Sequence, residues 1–119
     1  MHEMSLAMNI VEIASEAARK EQATAIDQIE LEVGQLAGVM MDSLTFCFEA
    51  AAKNTPAEGS RLKVISIPGT GACSSCQQHF PLDSLFAPCP HCGVHGVKLL
   101  AGDELKIKSI TITEGVHHV

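Results

Sequence analysis

The chain has 119 residues, 46% of them hydrophobic, with 14 acidic against 8 basic side chains and a pI near 5.4. That length makes one domain with at most a small appendage, and no apolar run approaches the ~20 residues of a membrane span, so the expectation is a soluble, cytoplasmic chain with no membrane partner. Nucleic acid is not an expected partner either, because neutralising phosphates takes a basic face of clustered Lys and Arg, which the sequence lacks.

The first residues, Met1-His2-Glu3, carry chemistry of their own. A histidine in second place leaves the initiator methionine uncleaved. The α-amine of Met1, the amide nitrogen of His2 and the His2 imidazole can then close fused chelate rings around one ion. Three nitrogens near a plane suit Ni(II) or Cu(II) rather than zinc. An exposed histidine at a fraying terminus is the plainer reading of the same residue. Glu3 offsets the positive end of the helix that follows, with or without a cation beside it.

From about Met4 to Lys20 the pattern is helical, with Ser5, Asn9, Glu12, Glu16 and Arg19 on a polar stripe and Leu6, Ala7, Met8, Ile10, Val11, Ile13, Ala14, Ala17 and Ala18 on a wide apolar face. Ile29, Leu31 and Val33 alternate with Glu30 and Glu32, a strand over 26–33 with one wet face. A second helix is expected over 42–53, its buried stripe formed by Leu44, Cys47, Phe48 and Ala51. Cys47 reads there as a small core hydrophobe. Strands follow at 61–67 and 104–113, the latter with a change of phase at Lys108-Ser109.

Between those two strands lie Cys73-Ser-Ser-Cys76 and Cys89-Pro-His-Cys92, separated by 12 residues. Two thiolates three positions apart on a turn grip one ion, and two such turns complete a tetrahedron of sulfur. Five cysteines is an odd number, which argues against a disulfide framework. A thioredoxin-like redox site needs only one pair. Rubredoxin-type iron shares the geometry, but with no Trp or Tyr in the chain the aromatic packing around such an iron is missing. Zinc is the expected ion, and four thiolates leave it no open position, which makes it structural rather than catalytic. Phe80, Leu82, Leu85 and Phe86 are the expected apolar cover of this module. His79 and His95 each follow the second cysteine of a pair by three residues and are candidates to support a thiolate or exchange with one. His91 and the closing His117-His118 receive no role.

The expected fold is α+β: two helices on a small, mainly antiparallel three-stranded sheet, with an inserted zinc-ribbon-like module. The α+β domain, with the N-terminal nitrogen site for Ni(II) or Cu(II), would take residues 1–68 and 102–119, and the zinc-binding module 69–101.

The Met1-His2-Glu3 start of a helix, the Phe46-x-Phe48-Glu49 pattern and the two cysteine pairs ahead of the last strand together resemble one family over essentially the whole chain. The chain is similar to the HypA/HybF nickel metallochaperones of [NiFe]-hydrogenase maturation, which in some organisms also serve urease. The resemblance implies that His2 is the nickel ligand, with the Met1 amine and Glu3 at the site, and that Cys73, Cys76, Cys89 and Cys92 hold structural zinc. It also implies a HypB-type GTPase and the hydrogenase large subunit as partners, with urease maturation factors beside them. No catalytic residue is expected, and with no Gly-rich phosphate loop any nucleotide hydrolysis falls to a partner. The competing reading is a zinc-ribbon interaction module with no nickel role.

Overall fold

The computed structural model describes residues 2–113 and 115–119. Its first helix, α1, spans Glu3–Lys20, with Glu3 in the first turn and Arg19 and Lys20 in the last, each complementing the helix dipole. Ala7, Ile10, Val11, Ala14, Ser15 and Ala18 are buried, a stripe at i, i+3, i+4 spacing. The apolar face is narrower than the sequence pattern suggested, since Met8 and Ile13 remain 59% and 49% exposed. The second helix, α2, spans Met41–Ala52 and buries Leu44, Phe48 and Ala52. Its stripe advances by four residues each time, so Cys47 and Ala51, expected in the core, are only half-buried. Small alanines along α1 let α2 come close, and the two helices pack together.

Among the described residues seven strands accompany them: β1 (Gln28–Gly34), β2 (Arg61–Ile67), β3 (Thr70–Cys73), β4 (His79–Pro81), β5 (Val97–Ala101), β6 (Leu105–Ile112) and β7 (Gly115–His118). One sheet has the order β2-β1-β6-β7. Hydrogen bonds tie Asp27 to Arg61 at one end of β1 and Gln35 to Ile67 at the other, so β1 and β2 run parallel, as a helical crossover through α2 requires. Asp27 with Thr111 and Gly34 with Glu104 make β1 and β6 antiparallel. Ile29 and Leu31 are fully buried, while Glu30 and Glu32 on the other face meet Lys63 at 3.7 Å and Lys106 at 3.6 Å. On β6 the buried residues change phase at Ser109, from Ile107 to Ile110 and Ile112.

The sheet therefore has four strands where three were expected. β7 pairs antiparallel with β6, with His118 opposite Ser109 and Gly115 opposite Ile112. Val116-His117-His118 has no apolar alternation of its own, and its strand character comes from this pairing.

The chain divides into two compact units, Met1–Glu32 with Val39–Ile65 and Lys106–Val119, and Val33–Gly38 with Ser66–Leu105. The second unit carries a three-stranded antiparallel sheet of order β4-β3-β5. Its core is Cys73, Phe80, Leu82 and Cys89, against which Leu36, Val97 and Leu99 pack. Phe80 and Leu82 lie two apart on extended chain and so face one way. Leu85 and Phe86, expected beside them, fall in the following loop and are 48% and 88% exposed. Leu36 belongs to this unit through its N–H, which donates to the Gly102 carbonyl at 2.7 Å. A Cβ at Gly34 would collide with that same carbonyl, so the two backbones meet only because this position is glycine.

Candidate metal centres

The four cysteine sulfurs come together at the end of the three-stranded sheet. Cys73 closes β3, Cys76 follows on the turn toward β4, and Cys89 and Cys92 sit on the loop before β5. All four sulfurs lie within 4.8 Å of one another, with Cys73 and Cys92 at 3.5 Å and Cys76 and Cys89 at 3.7 Å. A tetrahedron with metal–sulfur bonds of ~2.3 Å has edges of about 3.8 Å, so these residues fit one tetrahedral ion.

The two turns are built alike. The Gln77 N–H donates to the Cys73 carbonyl at 2.9 Å, and the Gly93 N–H to the Cys89 carbonyl at 2.8 Å. Each first cysteine in turn donates its own N–H, Cys73 to Gln78 and Cys89 to Val94. The residue after each second cysteine has positive φ, 60° at Gln77 and 76° at Gly93. Glycine adopts that conformation freely, whereas Gln77 holds it at a cost of about 1–2 kcal/mol. Backbone N–H groups of Ser75 and Cys76 point at the Cys73 sulfur, and that of His91 at the Cys89 sulfur, each at 3.4 Å.

These donors and the crowding of sulfurs set the charge the site accepts. The Cys76 N–H, opposed by burial, leads in lowering the Cys73 thiol to about 6. Burial pushes the Cys89 thiol up, but the N–H groups of Cys92 and His91 outweigh it and leave the thiol below its ordinary range. Cys76 and Cys92 go the other way. The Gln78 N–H favours a Cys76 thiolate, yet burial and the Cys73 and Cys89 sulfurs raise it. At Cys92 the Val94 N–H is likewise overcome, by the Cys73 sulfur above all and then by burial, and the thiol is pushed up to about 12. Four thiolates so close repel one another, and the last protons leave only for a cation.

Neither imidazole singled out near this cluster joins it. His79 begins β4 opposite Ala72, His95 lies on the loop before β5, and both are exposed. The histidine that does touch the cluster is His91, through its backbone N–H, with its ring edge-on to Phe80 at 6.3 Å. The Cys-x2-Cys spacing carries that signal, since the donor is the residue two after the first cysteine.

At the other end of the chain, His2 is the N-cap of α1. It is exposed, its carbonyl accepts from the Leu6 N–H at 3.2 Å, and its side chain makes no capping hydrogen bond. The amide of an N-cap residue has no acceptor within its helix. The Glu3 carboxylate accepts from the Met40 N–H at 3.4 Å, which ties the start of α1 to the residue that caps α2. The Met1 amine lies outside the described residues.

The family model described as hydrogenase/urease nickel incorporation, metallochaperone, HypA matches residues 1–112. The hydrogenase maturation factor HypA of Geobacter sulfurreducens is 43% identical over 112 residues, 94% of this chain and 99% of that protein. Its counterpart in Chlorobium phaeobacteroides is 47% identical over the same shares. Among solved structures, the solution structure of the Ni metallochaperone HypA from Helicobacter pylori has a likeness of fold, with a TM-score of 0.67 at 21% identity over 92% of this chain and 96% of that one.

Proposed function

This chain belongs to the HypA family of nickel-incorporation metallochaperones, maturation factors rather than enzymes, and on that premise we propose that it binds Ni(II) at its N-terminus and delivers it to the [NiFe]-hydrogenase large subunit. A HypB-type GTPase would act with it in the cytoplasm, and urease maturation factors would be further clients. The observation that carries the reading is His2, exposed at the second position with a side chain that makes no capping hydrogen bond to α1.

The Met1 amine, the His2 amide and the His2 imidazole would supply three nitrogens to a tetragonal ion. Glu3 would hold negative charge beside a helix end that is itself partly positive. A terminal chelate suits a carrier, because displacing one end of it opens the whole site to the next protein. Cys73, Cys76, Cys89 and Cys92 would hold Zn(II) as a closed structural site, leaving residues 69–101 a zinc module and residues 1–68 with 102–119 the nickel-binding domain. His79 and His95 would act around that zinc, either as outer hydrogen-bonding groups or by replacing a thiolate. Zinc X-ray absorption showing four sulfurs unchanged between about pH 6.3 and 7.5, with and without nickel, would sink the replacement.

The central experiment is a nickel titration of zinc-loaded protein with its native N-terminus, run beside a variant with one residue added before Met1 and beside His2→Ala. One tight nickel in the parent, lost in both variants while zinc stays bound, is the expected result. Equal binding by all three would remove the terminal site and leave a zinc-ribbon interaction module as the better reading.

A further inference from the structure

Lys98 is the only Lys or Arg in the second unit, and among the described residues it joins no ion pair. Its place follows from the register of the three-stranded sheet. Ala72 on the central strand β3 stands opposite His79 of β4 on one side and Lys98 of β5 on the other. Successive residues of a strand face opposite ways. Gly71 and Cys73 turn to the core, where a Cβ on Gly71 would press on Val97 and where Cys73 packs with Phe80. Ala72 therefore turns outward with His79 and Lys98 beside it, two residues about 10 Å apart across the sheet with only a methyl group between them.

A cleft of about 260 Å³ opens there, lined by Ala72, Cys73, Ser74, Gln77, His79 and Lys98. The Ser74 hydroxyl already donates to the Gly96 carbonyl at 2.8 Å, so it walls the cleft, and the remaining side-chain donors are Lys98, His79 and Gln77. No carboxylate lines it. Gln77 carries a second signal. It holds φ at 60°, a conformation that strains any residue with a Cβ, while the matching position after the other cysteine pair is Gly93. A glutamine standing where glycine would be free of strain points to a use for its side chain, and Gln77 borders the cleft.

We propose that this cleft binds a carboxylate, the Asp or Glu side chain of a partner protein, with Lys98 supplying the charge and His79 and Gln77 supplying further N–H donors. A carboxylate only accepts, and it takes several such donors at once. A metal ion would be repelled by the ammonium, and a phosphate dianion would meet only one full positive charge. The volume is below the ~300–1,000 Å³ of small-molecule pockets, which suits one side chain rather than a whole ligand. Leu100, two residues beyond Lys98 on β5, is 44% exposed, an apolar neighbour that a protein surface covers and a free acid does not. His79 serves this site only while its ring is off the zinc. No residue of the terminal chelate takes part, so this site and the nickel site stand or fall separately.

The test uses full-length, zinc-loaded protein and the blocked peptide acetyl-Gly-Glu-Gly-amide, beside the same peptide with glutamine in place of glutamate. The glutamate peptide should shift the NMR amide signals of Ala72, Gln77, His79 and Lys98 to saturation, and the glutamine peptide should not. Lys98→Met should weaken that binding at least tenfold, with zinc content and the β3-β5 pairing unchanged. Gln77→Gly separates binding from structure, because its two effects have opposite sign. It should weaken the peptide about threefold and, with the strain gone, raise the unfolding midpoint of the second unit by about 4 °C. Equal shifts from both peptides, or binding that Lys98→Met leaves intact, would overturn the site. So would a Gln77→Gly protein that loses stability together with binding, which would make Gln77 structural. Acetate binding as tightly as the glutamate peptide would overturn the assignment to a partner protein and make the ligand a free acid.

Discussion

In the α/β unit, Ile29, Leu31, Leu44 and Ile110 are fully buried, and the buried set is apolar except for Ser15 and Ser109. In the second unit the buried set is Cys73, Phe80, Leu82 and Cys89, and half of it belongs to the four-cysteine cluster. Ordering a residue costs roughly 1–2 kcal/mol in backbone entropy, and Phe80 and Leu82 with the partly buried Leu36, Val97 and Leu99 offset little of that over the 40 residues of Ser66–Leu105. The first unit is held by packing, which is distributed over many residues. On the reading proposed above the second would be held by one ion, and losing any ligand to it would lose the whole.

Removing the metal should give the largest effect. Chelation, or Cys89→Ser, should abolish the dispersed amide signals of β3, β4 and β5 while those of α1 and β6 persist, since structural zinc contributes on the order of 10 kcal/mol to modules of this kind. Persistence of the β3-β5 pairing without metal would break the contrast. The loss should also depend on pH. In the empty site Cys76 and Cys92 are raised and hold their protons at neutral pH, whereas every sulfur is deprotonated with metal bound. Acid therefore favours the empty state, and zinc affinity should fall steadily from about pH 8 to pH 6, as competition with a zinc indicator would show.

Leu44→Ala should have a smaller effect, confined to the other unit. Leu44 is fully buried on α2, so truncation should cost about 2–5 kcal/mol and lower the unfolding midpoint of the α/β unit. Zinc content should stay the same. A loss of zinc along with stability would mean that the two units unfold as one.

Sequence alone revealed most where a single local rule decides. Cys-x2-Cys spacing defined the metal cluster because three residues on a turn suffice to aim two sulfurs, whatever the rest of the chain does. The alternation of Ile29, Leu31 and Val33 defined β1 in the same way. What stayed hidden depends on partners distant in the chain. Val116 to His118 becomes a strand only by pairing with β6, so neither β7 nor the meeting of His117 with Glu21 could be read locally. Leu36 joins the second unit through Gly102, and nothing in Gln35-Leu36-Ala37 announces that. Helix faces failed by degrees: Met8, Ile13 and Cys47 are apolar, but apolar residues outnumber the positions that α1 and α2 cover.

The smallest effect expected is that of Glu3→Gln, and it bears on whether a residue of the packed unit also serves a metal. Glu3 has two structural tasks, negative charge at the start of α1 and acceptance of the Met40 N–H, and glutamine keeps an acceptor oxygen while removing the charge. Loss of the charge at a helix start costs about 0.3–1 kcal/mol at low ionic strength, so the denaturant midpoint should move little. A nickel ion held by His2 would feel the same lost charge at closer range, and its affinity should fall by about fivefold, the equivalent of ~1 kcal/mol. Added salt should shrink both effects, since an exposed charge acts through solvent. A change in stability with no change in nickel affinity would assign Glu3 to the helix pair alone. A fall in affinity beyond a hundredfold would instead make its carboxylate a direct ligand of the ion.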